Sequence, residues 1–150
     1  MYQKSTVCRV TKTVVDVMFY SGILCLIAVP FLATAIKDFY GYGNDVLLFF
    51  FVLLFLSGVC AVYILFQLKQ MFKTLLGENP FVKKNITCFQ KMAIACACIA
   101  LIYIVKCFLL FTWATLVIAI VFFIGFLFCL TLKEIFKQAI CYKEEHDWTV

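Results

Sequence analysis

Charge is scarce in this sequence, and the longest stretch without it is the most informative absence. Between Met92 and Leu130, Lys106 is the one charged residue among thirty-nine. One bilayer crossing by an α-helix takes about 20 apolar residues, so this stretch is long enough for two crossings. Over the whole chain 14% of residues are charged and 66% are hydrophobic, against about 25% and about 45–50% in soluble domains. This composition excludes a water-soluble globular protein.

Groups that catalytic and metal sites need are scarce as well. His146 is the single histidine, which excludes a haem held by two histidines or a histidine-rich zinc site within one chain. The motifs G-x-S-x-G and H-E-x-x-H and a phosphate-binding glycine loop are missing, so hydrolase or nucleotide chemistry has no basis in the sequence. We therefore predict a protein that is not an enzyme and that binds no cofactor or metal.

Two further apolar runs precede the long stretch, which makes four membrane spans. The predicted spans cover residues 14–36, 46–68, 92–110 and 113–132. We expect an all-α fold, a four-helix transmembrane bundle that forms one domain over residues 1–150. A competing interpretation makes the first run a cleaved signal peptide, because Ala33-Thr34-Ala35 is similar to a cleavage site. That run exceeds the usual length of about 7 to 15 residues for such a segment, which favours a span.

The basic residues predict the orientation of the chain in the membrane. Eleven of the thirteen Lys and Arg residues precede span one, lie between spans two and three or follow span four. The other two are Lys37 and Lys106. Because short basic flanks remain on the cytoplasmic side, we predict a multi-pass plasma-membrane protein with both termini in the cytoplasm.

Helical patterns continue past the spans. An apolar face at i, i+3, i+4 and i+7 spacing runs over residues 68–76, and Gly77 and Pro80 then suit a helix stop and a helix start. These features predict a cytoplasmic helical hairpin over residues 69–91. A similar stripe predicts an amphipathic extension and an acidic tail over residues 133–150. Helices 2, 3 and 4 are thus expected to extend into the cytoplasm; the alternative is a helix that lies flat on the headgroups.

Asp16 and Lys106 are the charged residues within the predicted spans. Asp16 lies one helical turn from Lys12, so we expect an i, i+4 ion pair close to cytoplasmic water. Lys106 lies about 22 Å beyond Lys91 at 1.5 Å per residue, which places it near the outer surface with its aliphatic stem in lipid. We interpret both as interface anchors, with participation in a transport or sensing path as the alternative.

Nine cysteines occur, but they lie within apolar runs. Each is therefore predicted to be a buried small hydrophobic side chain and none to form a disulfide; Cys96 and Cys98 should point to opposite sides of one helix. Pro30 predicts a static bend in span one, or alternatively a hinge. Gly58 and Gly125 are expected where helices approach closely.

Two segments resemble a known family. They are Gly-Glu-Asn-Pro-Phe-Val-Lys-Lys-Asn at residues 77–85 and Lys-Glu-Glu-His-Asp-Trp-Thr-Val at residues 143–150. Both resemble the bacterial membrane family catalogued as domain of unknown function 2975 (DUF2975), and the resemblance covers the whole chain. It implies a four-span protein of this length in a bacterial cytoplasmic membrane. Trp148 stands where the family usually has Leu, and His146 where Asn is common.

The resemblance also implies a partner, because such proteins are often encoded beside a small Cro-like helix-turn-helix regulator. The leading hypothesis is that the cytoplasmic helices bind or restrain this regulator without contacting nucleic acid themselves. The candidate residues are Lys73, Asn79, Pro80, Phe81, Lys83, Lys84, Glu144, Glu145, Asp147 and Trp148. The alternative hypothesis is a small transporter or immunity protein that binds a lipophilic compound or peptide within the bundle, with the Pro30 bend as its gate.

Overall fold

The described part of the chain forms four long α-helices. The structure is a computed structural model, which describes residues 6–40, 44–76, 83–109 and 111–148. The helices are α1 (Thr6–Tyr40), α2 (Asn44–Leu75), α3 (Lys83–Leu109) and α4 (Trp113–Trp148). The all-α four-helix fold expected from the sequence is confirmed.

Each helix is long and apolar enough to cross a membrane. The candidate crossing segments are Cys8–Leu32, Leu48–Thr74, Lys83–Leu109 and Trp113–His146. Every one of them overlaps a predicted span. With 36 residues, α4 is about 54 Å long at 1.5 Å per residue, whereas the hydrocarbon core of a bilayer is about 30 Å thick. The helix is therefore considerably longer than one crossing requires.

The end of α2 and the interior of α1 can be compared with the helix boundaries and the bend predicted from the sequence. The Leu76 amide donates a hydrogen bond of 3.1 Å to the Phe72 carbonyl, which completes the last turn of α2. Gly77 and Pro80, the predicted stop and start signals, lie outside the described residues. Pro30 lies inside α1, which is helical on both sides of it, in accord with the tolerance of membrane helices for proline.

The helices pack in chain order. Contacts join α1 to α2, α2 to α3 and α3 to α4, and within the described residues α1 packs against neither α3 nor α4. The buried core contains Met92 and Ala93 of α3 and Cys129 of α4. Partly buried residues of α2 and α4 surround it, namely Ile64, Leu68, Phe126 and Leu130. The inner helices are thus α2 and α3, and α1 is an outer helix held by α2.

Small residues allow α1 and α2 to approach closely. A Cβ atom at Gly58 would lie 2.8 Å from Leu26 Cδ1, and one at Gly22 would lie 3.4 Å from Val62 Cγ2. The close approach predicted at Gly58 is confirmed. At Gly125 the nearest atom would be Cys96 Sγ at 3.8 Å, which is ordinary van der Waals contact. Gly58 is therefore the tighter of the two predicted contacts.

The outer faces of the bundle are apolar. Large side chains such as Leu24 and Phe31 of α1, Leu48 of α2 and Phe128 of α4 are mostly exposed. Continuous apolar surface of this kind is a liability in water but is solvated by lipid tails. The exposed faces are those of a membrane-embedded bundle.

Candidate functional site

Charged residues begin at one level on three helices. The hydrophobic core brings Leu68, Met92 and Cys129 together. Lys69 follows Leu68 in the sequence, Lys91 precedes Met92, and Lys133 lies one helical turn beyond Cys129. An abrupt change from apolar to basic residues at one height is expected where helices leave the hydrocarbon core. We call the part beyond this level, residues 6–16, 69–76, 83–91 and 133–148, the basic end.

Asp16 of α1 forms an ion pair with Lys69 of α2 at this level. The Lys69 Nζ lies 3.1 Å from Asp16 Oδ1, and both side chains are about 30% exposed. The same ammonium donates a 3.4 Å hydrogen bond to the Tyr20 hydroxyl and lies 5.2 Å from the centre of the Phe19 ring. Asp16 Oδ1 is shielded from solvent and lacks a well-aligned hydrogen bond, so the neighbouring ammonium is its main compensation.

The predicted Lys12–Asp16 pair is wrong. The carboxylate of Asp16 pairs with Lys69 instead, because the antiparallel packing of α1 and α2 brings Lys69 next to it. The predicted role of Asp16 as an anchor near the end of a span stays a prediction. Its ion pair with Lys69 connects α1 to α2.

Lys106 lies at the opposite end of the bundle. Its Nζ is 4.9 Å from the centre of the Phe50 ring and 5.8 Å from that of Tyr103. Such cation–π contacts stabilise an ammonium that has left water. Asp16 and Lys106 thus have separate partners, as their positions in the sequence predicted.

Beyond the core, α4 continues along α3. The rings of Phe89 and Phe136 are 5.1 Å apart, and further along Lys83 Nζ lies 3.3 Å from Glu144 Oε1. Both partners of this ion pair are mostly exposed, at 79% and 59%. Lys83 and Glu144 were each predicted to contact a partner protein, and here they contact each other. The end of α4 is therefore positioned on the start of α3.

The last turns of α4 expose aromatic and acidic side chains. Trp148 is 89% exposed and Tyr142 is 73% exposed. Cys141, Glu144 and Trp148 follow one another at i, i+3 and i+7 and therefore share a face of the helix. Cys141 also lies within 3.9 Å of Glu145 Oε1 and donates to it. This face combines negative charge with a large exposed ring.

The other predicted contact residues are placed as follows. Lys73 is exposed in the last turn of α2 and Lys84 in the first turn of α3. Asn79, Pro80 and Phe81 lie outside the described residues, as does the side chain of Asp147.

A groove separates α3 and α4 at the basic end. Its volume is about 350 Å³. Lysines line it on both sides, Lys83 from α3 and Lys133 and Lys137 from α4, and Ile86 and Ile140 add apolar walls. The groove has no counterpart among the features predicted from the sequence, because its lining depends on how α3 and α4 are rotated towards each other.

Polar residues buried between the helices were also missed. Asn85 is fully buried near the start of α3, and Gln67 and Ser57 are buried in α2. The hydroxyl oxygens of Ser57 and Tyr103 are 3.4 Å apart, which is hydrogen-bonding distance between α2 and α3. Isolated polar residues within an apolar run are the sequence signal that would have identified Ser57 and Gln67.

The nine cysteines differ in how far they are buried. All nine are free thiols. Cys88, Cys96 and Cys129 are buried, as predicted, but the prediction is wrong for Cys98, Cys141 and Cys25, which are exposed. Cys96 and Cys98 do point to different environments. Among the described residues no three His, Cys, Asp or Glu side chains cluster in a way that could hold a metal ion.

Four long apolar helices with basic residues gathered at one end define a multi-pass membrane protein. The chain belongs to the family described as "Protein of unknown function (DUF2975)", which matches residues 9–150. No curated protein and no solved structure matches it. The family resemblance inferred from the two sequence segments is thereby confirmed.

Proposed function

We propose that the basic end lies in the cytoplasm and that the end of α4 is a docking site for a cytoplasmic protein. The observation that carries this proposal is Trp148, which is 89% exposed on the same helix as the acidic Glu144 and Glu145. Tryptophan is among the residues that contribute most to protein interfaces. The helix α4 continues through Glu144 to Trp148 and packs on α3 through Phe136 and Phe89, so the docking surface is part of a formed helix before a partner arrives.

The orientation follows from the charges and can be measured. Four crossings leave both ends of the chain on one side, and basic flanks favour the cytoplasm for that side. We expect a fluorescent protein fused after Val150 to fluoresce and an alkaline phosphatase fused there to be inactive. Fusions between α1 and α2 should behave in the opposite way. Phosphatase activity at the C-terminal fusion would place the basic end outside the cell.

The chemistry of the surface fits a basic partner. Helix-turn-helix regulators carry positive charge on the surface that binds DNA, and the family resemblance implies such a regulator as a neighbour. Glu144 and Glu145 complement that charge. A regulator held on α4 would have its DNA-binding surface occupied, so the membrane protein would restrain it without touching nucleic acid. This role needs no catalytic group in the bundle.

A single substitution tests the docking site. In the full chain purified in detergent, Trp148→Ala should weaken binding of the helix-turn-helix regulator that the family resemblance implies by at least about tenfold, or about 1.4 kcal/mol. The matched control is Trp113→Ala, since Trp113 is also exposed but begins α4 at the opposite end. Binding is measured by biolayer interferometry.

The control should bind as the unaltered chain does. If Trp148→Ala and Trp113→Ala bind the regulator equally well, Trp148 is not part of a docking surface. If the unaltered chain fails to bind the regulator, the proposed partner is wrong.

A further inference from the structure

The groove between α3 and α4 carries an excess of positive charge. Three ammonium groups line it, those of Lys83, Lys133 and Lys137, against the one carboxylate of Glu144. Glu144 engages Lys83 at 3.3 Å. In the described part of the chain, Lys133 and Lys137 form no ion pair. The groove thus presents two lysines without an ion pair among the described residues and a third whose present partner can be exchanged.

The Lys83–Glu144 pair is weak enough to exchange. Both side chains are largely in solvent, at 79% and 59% exposure. Ion pairs in such surroundings contribute little, because water competes for both charges. A dianionic or multiply hydrogen-bonding ligand in the groove would therefore attract Lys83 at little cost.

The groove begins at the height of the lipid headgroups. Cys129 is still in the hydrophobic core, and Lys133 lies one helical turn beyond it. Phe136, whose ring contacts Phe89 of α3, lies between Lys133 and Lys137 along α4. Lys133 and Lys137 thus face the zone in which phospholipid phosphates lie, and Ile86 and Ile140 line the groove beyond them, towards the Lys83–Glu144 pair.

We propose that this groove binds the phosphate of an anionic phospholipid, with Lys133 and Lys137 as its principal contacts and Lys83 as a third that Glu144 holds in the empty state. Basic pockets between membrane helices recognise anionic headgroups in this way. The carboxylate of Glu144 competes with the lipid, so it limits affinity. The proposal does not depend on any protein partner; the groove shares Glu144 with the proposed docking surface, but Trp148 is not among the residues that line it.

Lipid titration of the purified full chain tests the proposal. Dioleoyl phosphatidylglycerol is the probe, dioleoyl phosphatidylcholine and inorganic phosphate are the comparison ligands, and native mass spectrometry in detergent reports bound ligand. Phosphatidylglycerol should bind, and the double substitution Lys133→Gln and Lys137→Gln should weaken it by about tenfold or more. Glu144→Gln should strengthen binding, since it removes the competing carboxylate.

Matched variants separate the groove from general charge effects. Lys73→Gln with Lys91→Gln removes the same net charge from exposed positions of the basic end that do not line the groove, and should leave binding unchanged. Glu134→Gln is the corresponding control for Glu144→Gln. A gain of affinity in Glu144→Gln is an effect that misfolding does not produce.

Three results would overturn the proposal. The first is equal loss of phosphatidylglycerol binding in the two double-lysine variants. The second is equal binding of phosphatidylcholine, whose headgroup has no net charge. The third is groove-dependent binding of inorganic phosphate at the affinity of the lipid, which would make the ligand a soluble anion.

Discussion

The substitution Ile99→Ala should destabilise the bundle by about 2–3 kcal/mol. Ile99 lies in α3, the inner helix that contributes most of the buried residues, and is 1% exposed. Lipid tails are as apolar as the protein interior, so helix association in a membrane depends on van der Waals packing. Truncating a fully buried Ile removes those contacts and leaves a cavity, at a cost of about 2–5 kcal/mol in soluble cores. Unfolding in mixed detergent micelles, titrated with sodium dodecyl sulfate, measures the loss.

The control for this prediction lies on the same helix. Ile94 has the same side chain but is 56% exposed. Ile94→Ala therefore mainly removes contacts between the side chain and lipid, and lipid fills the space that the side chain leaves. It should change stability by less than about 0.5 kcal/mol, the usual limit for substitutions away from the core. Equal losses at Ile94 and Ile99 would contradict the packing order, because both faces of α3 would then be in helix contacts.

Neutralising the Asp16–Lys69 pair should loosen α1 from α2. Lys69→Gln leaves Asp16 Oδ1, which is shielded from solvent, without its ammonium, and Asp16→Asn leaves Lys69 held only by the Tyr20 hydroxyl and the neighbouring rings. Each single substitution should lower the melting temperature in detergent by several degrees. The double substitution should cost clearly less than the two single effects combined, because the pair is a coupled unit.

The Lys83–Glu144 ion pair is the reference for this cycle. Lys83 and Glu144 are far more exposed than Asp16 and Lys69, so water screens their attraction and the same cycle on them should show a coupling close to zero. If the two cycles show the same coupling, the Asp16–Lys69 pair has no special part in holding α1.

The span count was predictable from the sequence because long apolar runs and basic flanks are local signals. The partner of Asp16 was not. Within the sequence, Lys12 is the obvious candidate at i, i+4, whereas Lys69 becomes a neighbour only through the register between α1 and α2. The sequence contains no local signal for that register.

For the candidate site, some of the residues were predictable from the sequence, but their contacts were not. Lys83 and Glu144 were identified as residues of interest, since both lie outside the apolar runs, but their contact with each other at 3.3 Å depends on the rotation of α3 against α4. The groove lined by Lys133 and Lys137 depends on the same rotation. Gly58 was predictable because a missing side chain marks a close approach whichever neighbour fills the space.

Packing in chain order also bears on how the protein is made. Because α1 contacts α2, α2 contacts α3 and α3 contacts α4, every interface between the described helices joins two that leave the ribosome one after the other. Assembly therefore requires no helix to remain in the translocon while a distant partner is synthesised. Low contact order of this kind favours fast folding, and the last interface to close is the one between α3 and α4 that forms the groove.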